Sequence, residues 1–142
     1  MITNRAKYAL KALTILARNP RQMMPAHKIA EEGCIPLKFL ETILAELKNR
    51  KIVSSRRGPS GGYLLAQKPE DVTAGDIIRM MDGPIAPLLC ASLTGYRRCE
   101  DCEDEDLCAI RKMMMDSRKA LSAVLDRRTL KDLAGFGATS KK

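Results

Sequence analysis

The chain has 142 residues, of which 45% are hydrophobic and only 4% aromatic. This length allows one core of ordinary size, and the apolar content excludes global disorder. No apolar run approaches the roughly 18 residues that span a bilayer, and no charged start leads into an apolar segment. We therefore expect a cytoplasmic protein with no membrane partner, built largely from helices because Leu, Ile, Ala and Met dominate its core.

The net charge of +8 is concentrated in one half of the chain. Residues 1–68 hold 13 Lys and Arg against 4 acidic residues, a net +9, whereas residues 69–142 hold 12 against 13, a net −1. A basic half favours a polyanionic partner. A basic surface also serves plain solubility, so the order of the elements must decide between the two interpretations.

Three amphipathic helices are predicted in the basic half. From Asn4 to Arg18 apolar residues recur at steps of three and four, and Asn19-Pro20 ends the pattern. A short helix from Pro25 to Glu32 and a third helix from Pro36 follow, each beginning at a proline that suits a first turn. A helix, a short turn and a second helix are typical of proteins that place the second helix in the DNA major groove.

The third helix is predicted to have one buried and one polar face. Its buried stripe comprises Leu40, Ile43, Leu44 and Leu47. Its opposite face comprises Lys38, Glu41, Thr42, Ala45 and Lys48. The polar face is therefore free to approach base edges.

A basic hairpin is predicted next. Two β-capable runs, residues 52–57 and 63–66, flank the Gly/Pro turn 58–62. Arg56 and Arg57 stand at the base of this turn, where they suit phosphate or minor-groove contacts. A hairpin that follows a helix-turn-helix is a wing. A fourth helix then begins after Thr73, an N-cap paired with Asp76, and ends at Asp82-Gly83-Pro84.

The segment 84–104 shows no sustained periodicity, and it contains three of four cysteines that form a cluster in the sequence. Cys90, Cys99, Cys102 and Cys108 follow the spacing C-x8-C-x2-C-x5-C, with six carboxylates between the last three. Several thiolates so close in sequence suit a soft metal or an iron–sulfur cluster. Structural disulfides are disfavoured in the cytoplasm, and Cys34 makes the count odd. Unligated or redox-switching thiols remain an alternative.

The longest helical pattern runs from Glu105 to about Asp126. Its seam comprises Leu107, Ile110, Met114, Ser117, Leu121 and Val124. A narrow, long seam suits pairing with a partner helix, although packing on its own domain stays open. Pairing would align two recognition helices with a twofold DNA site. Thr129 to Leu133 adds a last short turn, and residues 135–142 are expected to form a flexible tail.

As a set, these segments resemble the Rrf2 family of bacterial winged-helix transcription regulators, over about Met1 to Leu133. The most specific parts are Ile35–Leu47, Ile52–Leu65, the cysteine loop and Val124–Leu133. The resemblance implies a mainly α fold with a small β-hairpin, made of a winged helix-turn-helix DNA-binding domain plus a long dimerisation helix. It also implies a homodimer that binds a palindromic promoter element in double-stranded DNA.

The resemblance carries residue roles for DNA binding. Lys38, Phe39, Glu41 and Thr42 occupy the recognition-helix positions that read bases, and Arg57 occupies the wing position that enters the minor groove. A glutamate such as Glu41 is suited to accept from a cytosine amino group. The full expected DNA-binding set is Lys28, Lys38, Phe39, Glu41, Thr42, Arg56, Arg57 and Ser60.

The resemblance further implies an iron–sulfur cluster, [2Fe-2S] or [4Fe-4S], between the wing-bearing domain and the long helix. Arg111 stands where some members use a histidine ligand, and Tyr8 where others use an aspartate of the partner subunit. Cys99 is then the natural fourth ligand, with a carboxylate of residues 100–106 as the alternative. The expected metal ligands are Cys90, Cys99, Cys102 and Cys108. Four thiolates would equally satisfy tetrahedral zinc.

We therefore expect a transcriptional regulator that senses redox state, iron or nitric oxide through the cluster, and not an enzyme. A zinc- or thiol-based regulator is one alternative, and the C-x2-C pair keeps open a cluster carrier or redox protein. The expected division is 1–83 for the DNA-binding domain, 84–104 for the cysteine loop, 105–134 for the dimerisation helix and C-terminal turn, and 135–142 for the tail. His27 is expected to face solvent, and Cys34 to be a small buried residue at the turn where the family has glycine.

Overall fold

The computed structural model describes residues 2–137, so residues 138–142 of the expected tail lie outside it. Its helices are α1 (Asn4–Arg18), α2 (Ala26–Gly33), α3 (Leu37–Asn49), α4 (Ala74–Asp82), α5 (Ala109–Leu125) and α6 (Leu130–Gly135). Its strands are β1 (Val53–Arg56) and β2 (Gly62–Leu65), and single 3-10 turns occupy Pro69–Asp71, Leu89–Ala91 and Glu105–Leu107. The predicted mainly α fold with a small hairpin is confirmed.

Helix α1 lies at the centre of the core, where α2, α3, α4, α6 and β2 all pack against it. Because neighbours surround it, α1 also buries Ala12 and Ile15. These two lie outside the predicted apolar stripe, which comprised Ala6, Ala9, Leu10, Leu13, Leu16 and Ala17. The predicted stripe of α3 is confirmed, since its buried residues are the four that were expected. Helix α6 returns to the same core through Leu130, which is fully buried.

The hairpin is an antiparallel pair in which Val53 faces Leu65 and Arg56 faces Gly62. A third backbone segment holds it: the Met24 amide donates to the Tyr63 carbonyl at 2.9 Å, and the Tyr63 amide donates to the Met24 carbonyl at 2.8 Å. Gly62 permits this approach, because a Cβ there would lie 2.5 Å from the Met24 carbonyl oxygen. The wing is therefore anchored to the segment just before α2.

The turn between α2 and α3 corrects the expectation for Cys34. This residue adopts the left-handed conformation with φ of 51°, and its side chain is exposed rather than buried. The turn needs a positive φ after the last residue of α2, and Cys34 supplies it where a glycine would be usual. Gly33 serves packing instead, since a Cβ there would lie 2.9 Å from the Ile35 side chain. His27 is exposed, as expected.

Helix α4 begins as predicted, but α5 begins four residues later than predicted. Thr73 and Asp76 form the expected capping box, with both bonds at 3.1 Å. Residues Glu105–Leu107 form a 3-10 turn rather than helix, and Cys108 caps α5 by accepting the Arg111 amide at its sulfur, 3.3 Å away. Because the helix begins only after this capping residue, Leu107 lies outside it and is 82% exposed.

The C-terminal end of α5 is fixed to the N-terminal domain. Arg79 of α4 donates to both carboxylate oxygens of Asp126, at 2.7 and 2.8 Å. Gly75 makes room for this pair, because a Cβ there would collide with the Asp126 carboxylate. Two backbone bonds follow, from Ala74 to the Arg128 carbonyl at 2.8 Å and from Leu130 to the Val72 carbonyl at 2.9 Å.

The Arg79–Asp126 pair should make stability depend on pH in the acidic range. The hydrogen bonds from Arg79 hold the pKa of Asp126 below its ordinary value of 3.8. A depressed carboxyl pKa contributes stability that is present above 3.8 and is lost as the pH falls through the folded-state pKa. We expect Asp126→Asn to lower the urea midpoint at neutral pH and to flatten its fall below pH about 4. Asp116→Asn is the control, since Asp116 forms no ion pair among residues 2–137.

Within residues 2–137, no helix is both long enough and apolar enough to cross a bilayer.

Candidate functional site

The residues expected to bind DNA all lie on the surface, on α2, on α3, at the end of β1 and in the hairpin turn. Exposed in this set are Lys28, Lys38, Phe39, Glu41, Thr42, Arg56, Arg57 and Ser60. The four on α3 lie opposite its buried stripe, because the stripe holds the helix against α1. A polar helix face and a basic turn, exposed except where Phe39 packs against Tyr8, form a surface that can meet a duplex. We call these residues the reading face.

The two acidic residues of α3 differ in how their charge is compensated. Glu46 pairs with Arg5 and with Arg50, the latter at 3.5 Å. Glu41 forms no ion pair among residues 2–137. Glu41 is therefore an uncompensated hydrogen-bond acceptor on a basic surface.

Helix α1 adds positive charge beside the start of α3. The Tyr8 ring packs edge-on against Phe39, with centroids 5.6 Å apart and planes at 85°. The Lys7 and Lys11 ammonium groups lie 5.2 and 5.9 Å from the Tyr8 centroid. Sequence reasoning did not include these lysines, because only the tertiary contact between Tyr8 and Phe39 brings them next to the recognition helix.

An open basic concavity of about 610 Å³ lies at the base of the wing. It is lined by Lys48, Lys51, Val53, Ser54, Ser55, Ala66 and Gln67. Ammonium and hydroxyl groups in this arrangement suit phosphate contacts. The sequence did not predict Lys51 as a phosphate contact, because this residue belongs to the link between α3 and β1, where its φ is 60°.

The cysteine loop, residues 84–104, packs on α5 through its turn at Leu89–Ala91, and Cys108 follows it in the chain. Cys90 is in the turn Leu89–Ala91, which packs on α5, and only 5% of its surface is exposed. Cys108 caps the N-terminal end of the same helix. Cys99 and Cys102 lie on the connecting stretch and are partly exposed. Cys90 and Cys108 are thus attached to regular elements, whereas Cys99 and Cys102 lie on the stretch of chain that connects them.

Cys99 is a neighbour of Cys90 in the folded loop, and Cys102 lies within electrostatic reach of Cys90 and Cys108. A hydrogen bond with Cys90 raises the pKa of the Cys99 thiol, and partial burial and the neighbouring Cys90, Asp101 and Cys102 raise it further. Burial raises the pKa of Cys102 as well, reinforced by Cys108, Glu105 and Cys90 and opposed by Arg98. Close thiols disfavour several negative charges at once, which is the condition that a bound metal cation relieves.

The thiols are close but do not form a finished metal cage. Among residues 2–137, no group of three or more His, Cys, Asp or Glu side chains is arranged to hold a metal ion. The donor chemistry nevertheless fits a thiolate-bound group, because all five cysteines are free and four of them belong to one segment. Closure of the Cys99–Cys102 stretch onto Cys90 and Cys108 would complete the set, as is usual where binding orders a loop.

Several hydrogen bonds shape the loop around the cysteines. Ser92 Oγ accepts from the Thr94 amide at 3.3 Å and the Gly95 amide at 2.9 Å. The Tyr96 hydroxyl donates to Glu105, and this bond raises the pKa of Tyr96. Arg111 donates from Nε to the Cys90 carbonyl at 3.1 Å. These contacts define a preformed but incomplete loop.

The predicted seam of α5 is largely uncovered in the single chain. Ile110 is 54% exposed, Leu121 37% and Val124 56%, and the buried residue of this helix is Arg118. An apolar cavity of about 490 Å³ continues the seam beside Leu121 and Leu125, between α4 and residues 84–87. Exposed apolar side chains gathered on one helix are typical of an interaction surface.

A helix-turn-helix whose second helix presents a polar face, followed by a basic hairpin, defines a winged helix-turn-helix DNA-binding protein. The family model that matches is Rrf2, described as an iron-dependent transcriptional regulator, and it matches residues 2–135. The chain belongs to the Rrf2 family of transcriptional regulators, so the resemblance expected from the sequence is confirmed.

Relatives of the chain agree with this membership along its whole length. An Rrf2-like HTH-type transcriptional regulator of Rhodobacter capsulatus is 42% identical over 146 residues, covering 100% of this chain and 97% of that protein. The structure of CymR, the global cysteine regulator of B. subtilis, matches with a TM-score of 0.79 at 34% identity, covering 96% of this chain and 97% of that one. The structure of IscR from T. potens matches with a TM-score of 0.76 at 26% identity, covering 100% and 91%.

Proposed function

We propose that this chain acts as a homodimeric regulator whose affinity for DNA is set by an iron–sulfur cluster bound to Cys90, Cys99, Cys102 and Cys108. The placement of two candidate ligands carries the proposal: Cys90 lies in a turn that packs on α5, and Cys108 caps the N-terminal end of that helix, whose other end is fixed to α4. A change at the loop therefore acts on an element that is continuous with the winged domain.

The DNA-binding part of the proposal uses the reading face. Lys38, Phe39, Glu41 and Thr42 approach bases in the major groove, and Arg57 enters the minor groove from the wing. Lys28, Arg56 and Ser60 contact the backbone. Support comes from the exposure of all eight side chains and from family membership.

The dimer part of the proposal uses the uncovered seam of α5. Pairing of this seam with a second copy would bury Ile110, Leu121 and Val124, which a single chain leaves exposed. A twofold dimer presents two recognition helices to a palindromic promoter element. Residues 1–83 then form the DNA-binding part, 84–104 the cluster loop, 105–134 the pairing part and 135–142 the tail.

Coupling between the two parts follows from how α5 is held. At one end its cap is Cys108, a candidate ligand, and at the other end Asp126 pairs with Arg79 of α4. When bound, the cluster supplies a redox- and nitric-oxide-reactive centre that draws four thiolates together. Closing the loop would shift α5 and thus the spacing of the two reading faces, biasing an existing two-state equilibrium.

A thiol-based or zinc-based regulator is the second candidate. The thiol-based form is favoured by the interaction between the Cys90 and Cys99 thiols, which needs no metal ion. Similarity to CymR, named as a global cysteine regulator, points the same way. Under this alternative the thiols themselves, or a zinc ion held by them, carry the signal.

Metal analysis of protein purified without oxygen separates the candidates. We expect a brown protein with visible charge-transfer absorption and with iron and acid-labile sulfide in about equal amounts. Zinc at about one per chain, without sulfide, would instead support the zinc-based regulator. A colourless product free of both metals, even after anaerobic reconstitution with iron and sulfide, would contradict the proposal.

A further inference from the structure

Arg111 links the two candidate ligands that ordered elements carry. Its backbone amide donates to the Cys108 sulfur at 3.3 Å, and its side-chain Nε donates to the Cys90 carbonyl oxygen at 3.1 Å. Arg98 makes a different kind of contact, to the Cys102 and Glu103 carbonyls at 3.1 Å, within its own segment. Of these two arginines, only Arg111 joins the loop to α5.

The position of Arg111 is unfavourable for a cation by helix electrostatics. It is the third residue of α5, and the N-terminal turn of a helix carries partial positive charge that favours acidic side chains. Arg111 also forms no ion pair among residues 2–137 that would compensate its charge. The presence of an arginine at this position is therefore explained by its hydrogen bond to the Cys90 carbonyl and not by the electrostatics of the helix.

The segment just before α5 is rich in groups that carry or acquire negative charge. Six carboxylates lie between Glu100 and Asp106, and thiolates replace thiols when a metal binds. The charge of Arg111 reaches the Tyr96–Glu105 pair, where it opposes the effect of Glu105 on the pKa of Tyr96. A fixed guanidinium in this place offsets charge that would otherwise accumulate at the N-terminal end of α5.

We propose that Arg111 is a positioning residue that holds Cys90 against the N-terminal end of α5. Cys90 and Cys108 then form the fixed half of the ligand set, onto which Cys99 and Cys102 close. The ligand roles rest on the proposed function, whereas the bridge itself involves only groups of this chain.

Alkylation of the cysteines in cluster-free, full-length protein tests the bridge. Iodoacetamide labelling, read for each cysteine by mass spectrometry, should show Cys90 reacting slowly in the wild type because it is 5% exposed. We expect Arg111→Gln to speed labelling of Cys90 about tenfold, the factor for losing one hydrogen bond from a charged donor. Arg111→Lys, which keeps a charged donor of different reach, should fall between the two.

Two controls separate anchoring from general loosening. Lys112→Gln removes the same charge from the neighbouring exposed residue of α5 and should leave the Cys90 rate unchanged, and Cys34 should react equally in every variant. A Cys90 rate within about twofold of wild type in Arg111→Gln would overturn the proposal. An equal acceleration in Lys112→Gln, or at Cys34, would overturn it as well.

The reduction potential of the loaded protein is the second readout. Net charge near an iron–sulfur cluster is one of the factors that set its potential. Arg111→Gln should therefore make the potential more negative, whereas Arg111→Lys should leave it near the wild-type value. Equal potentials in all three proteins would contradict the charge effect. A protein that binds no cluster fails the proposed function but leaves the alkylation result standing.

Discussion

Serine in place of Cys108 is expected to abolish retention of iron and sulfide while leaving the fold intact. Serine is among the best N-cap residues, so the hydroxyl can replace the sulfur that now accepts the Arg111 amide and α5 should still begin at Ala109. A hydroxyl is nevertheless a poor substitute for a thiolate toward iron. Since loss of an outer-shell partner alone costs about 10- to 100-fold in metal affinity, loss of a direct ligand should cost more.

The measurement is iron and sulfide content after anaerobic reconstitution, with circular dichroism and a thermal melt as checks of folding. Cys34→Ser is the matched control, because Cys34 is an exposed thiol in the turn between α2 and α3 and has no expected role in the cluster. Normal iron and sulfide in Cys108→Ser would remove Cys108 from the ligand set. Loss of both in Cys34→Ser would show that the assay reports thiol chemistry in general.

Removing both wing arginines should weaken binding to every duplex. Arg56 and Arg57 are exposed and form no ion pair among residues 2–137, so a double change to alanine should not affect folding. We expect affinity to fall about 10- to 100-fold or more, and the slope of log affinity against log salt to become shallower by about 1.8 for two lost contacts. Fluorescence anisotropy at several salt concentrations measures both quantities.

A double change of Lys119 and Lys131 to alanine is the control for the wing prediction. It removes the same charge from exposed positions of α5 and α6 outside the reading face. If that control lowers affinity and slope as much as the wing variant, the effect comes from net charge and the wing assignment is wrong.

Glu41→Gln should behave differently from the wing variant, changing which sequences are preferred with little loss of affinity for non-specific DNA.

The sequence predicted those parts of the fold that local patterns encode. The buried stripe of α3, the capping box at Thr73 and the hairpin all follow from spacing, capping chemistry and turn residues within a few positions of each other. The whole of α1, from Asn4 to Arg18, was predicted for the same reason. Periodicity is reliable where one face of an element meets one core.

Other features depend on contacts between distant residues and could not be predicted from local patterns. The start of α5 was placed at Glu105 because the periodicity continues through Leu107, whereas Cys108 caps the helix and excludes that residue. Cys34 was expected to be buried because cysteine usually is, but the backbone of the turn directs it outward.

In the candidate site, the sequence identified the four cysteines but not what holds them. Spacing alone shows that thiols are close along the chain, and it carries no signal for the bond from Arg111 to the Cys90 carbonyl. The lysines beside Tyr8 were likewise missed, because a ring contact across two helices places them next to α3. Which groups anchor a loop depends on the tertiary fold, whereas which groups can bind metal depends on composition.

The central claim is that the state of the cysteine loop sets the affinity of the reading face for DNA. The most direct test measures affinity for one operator duplex, at one salt concentration, with a single anaerobic preparation before and after the cluster is removed by a chelator. We predict a change in affinity of about 5- to 150-fold, the usual range for coupling between two sites. Equal affinity of the two forms, with cluster loss verified by iron and sulfide analysis, would contradict it.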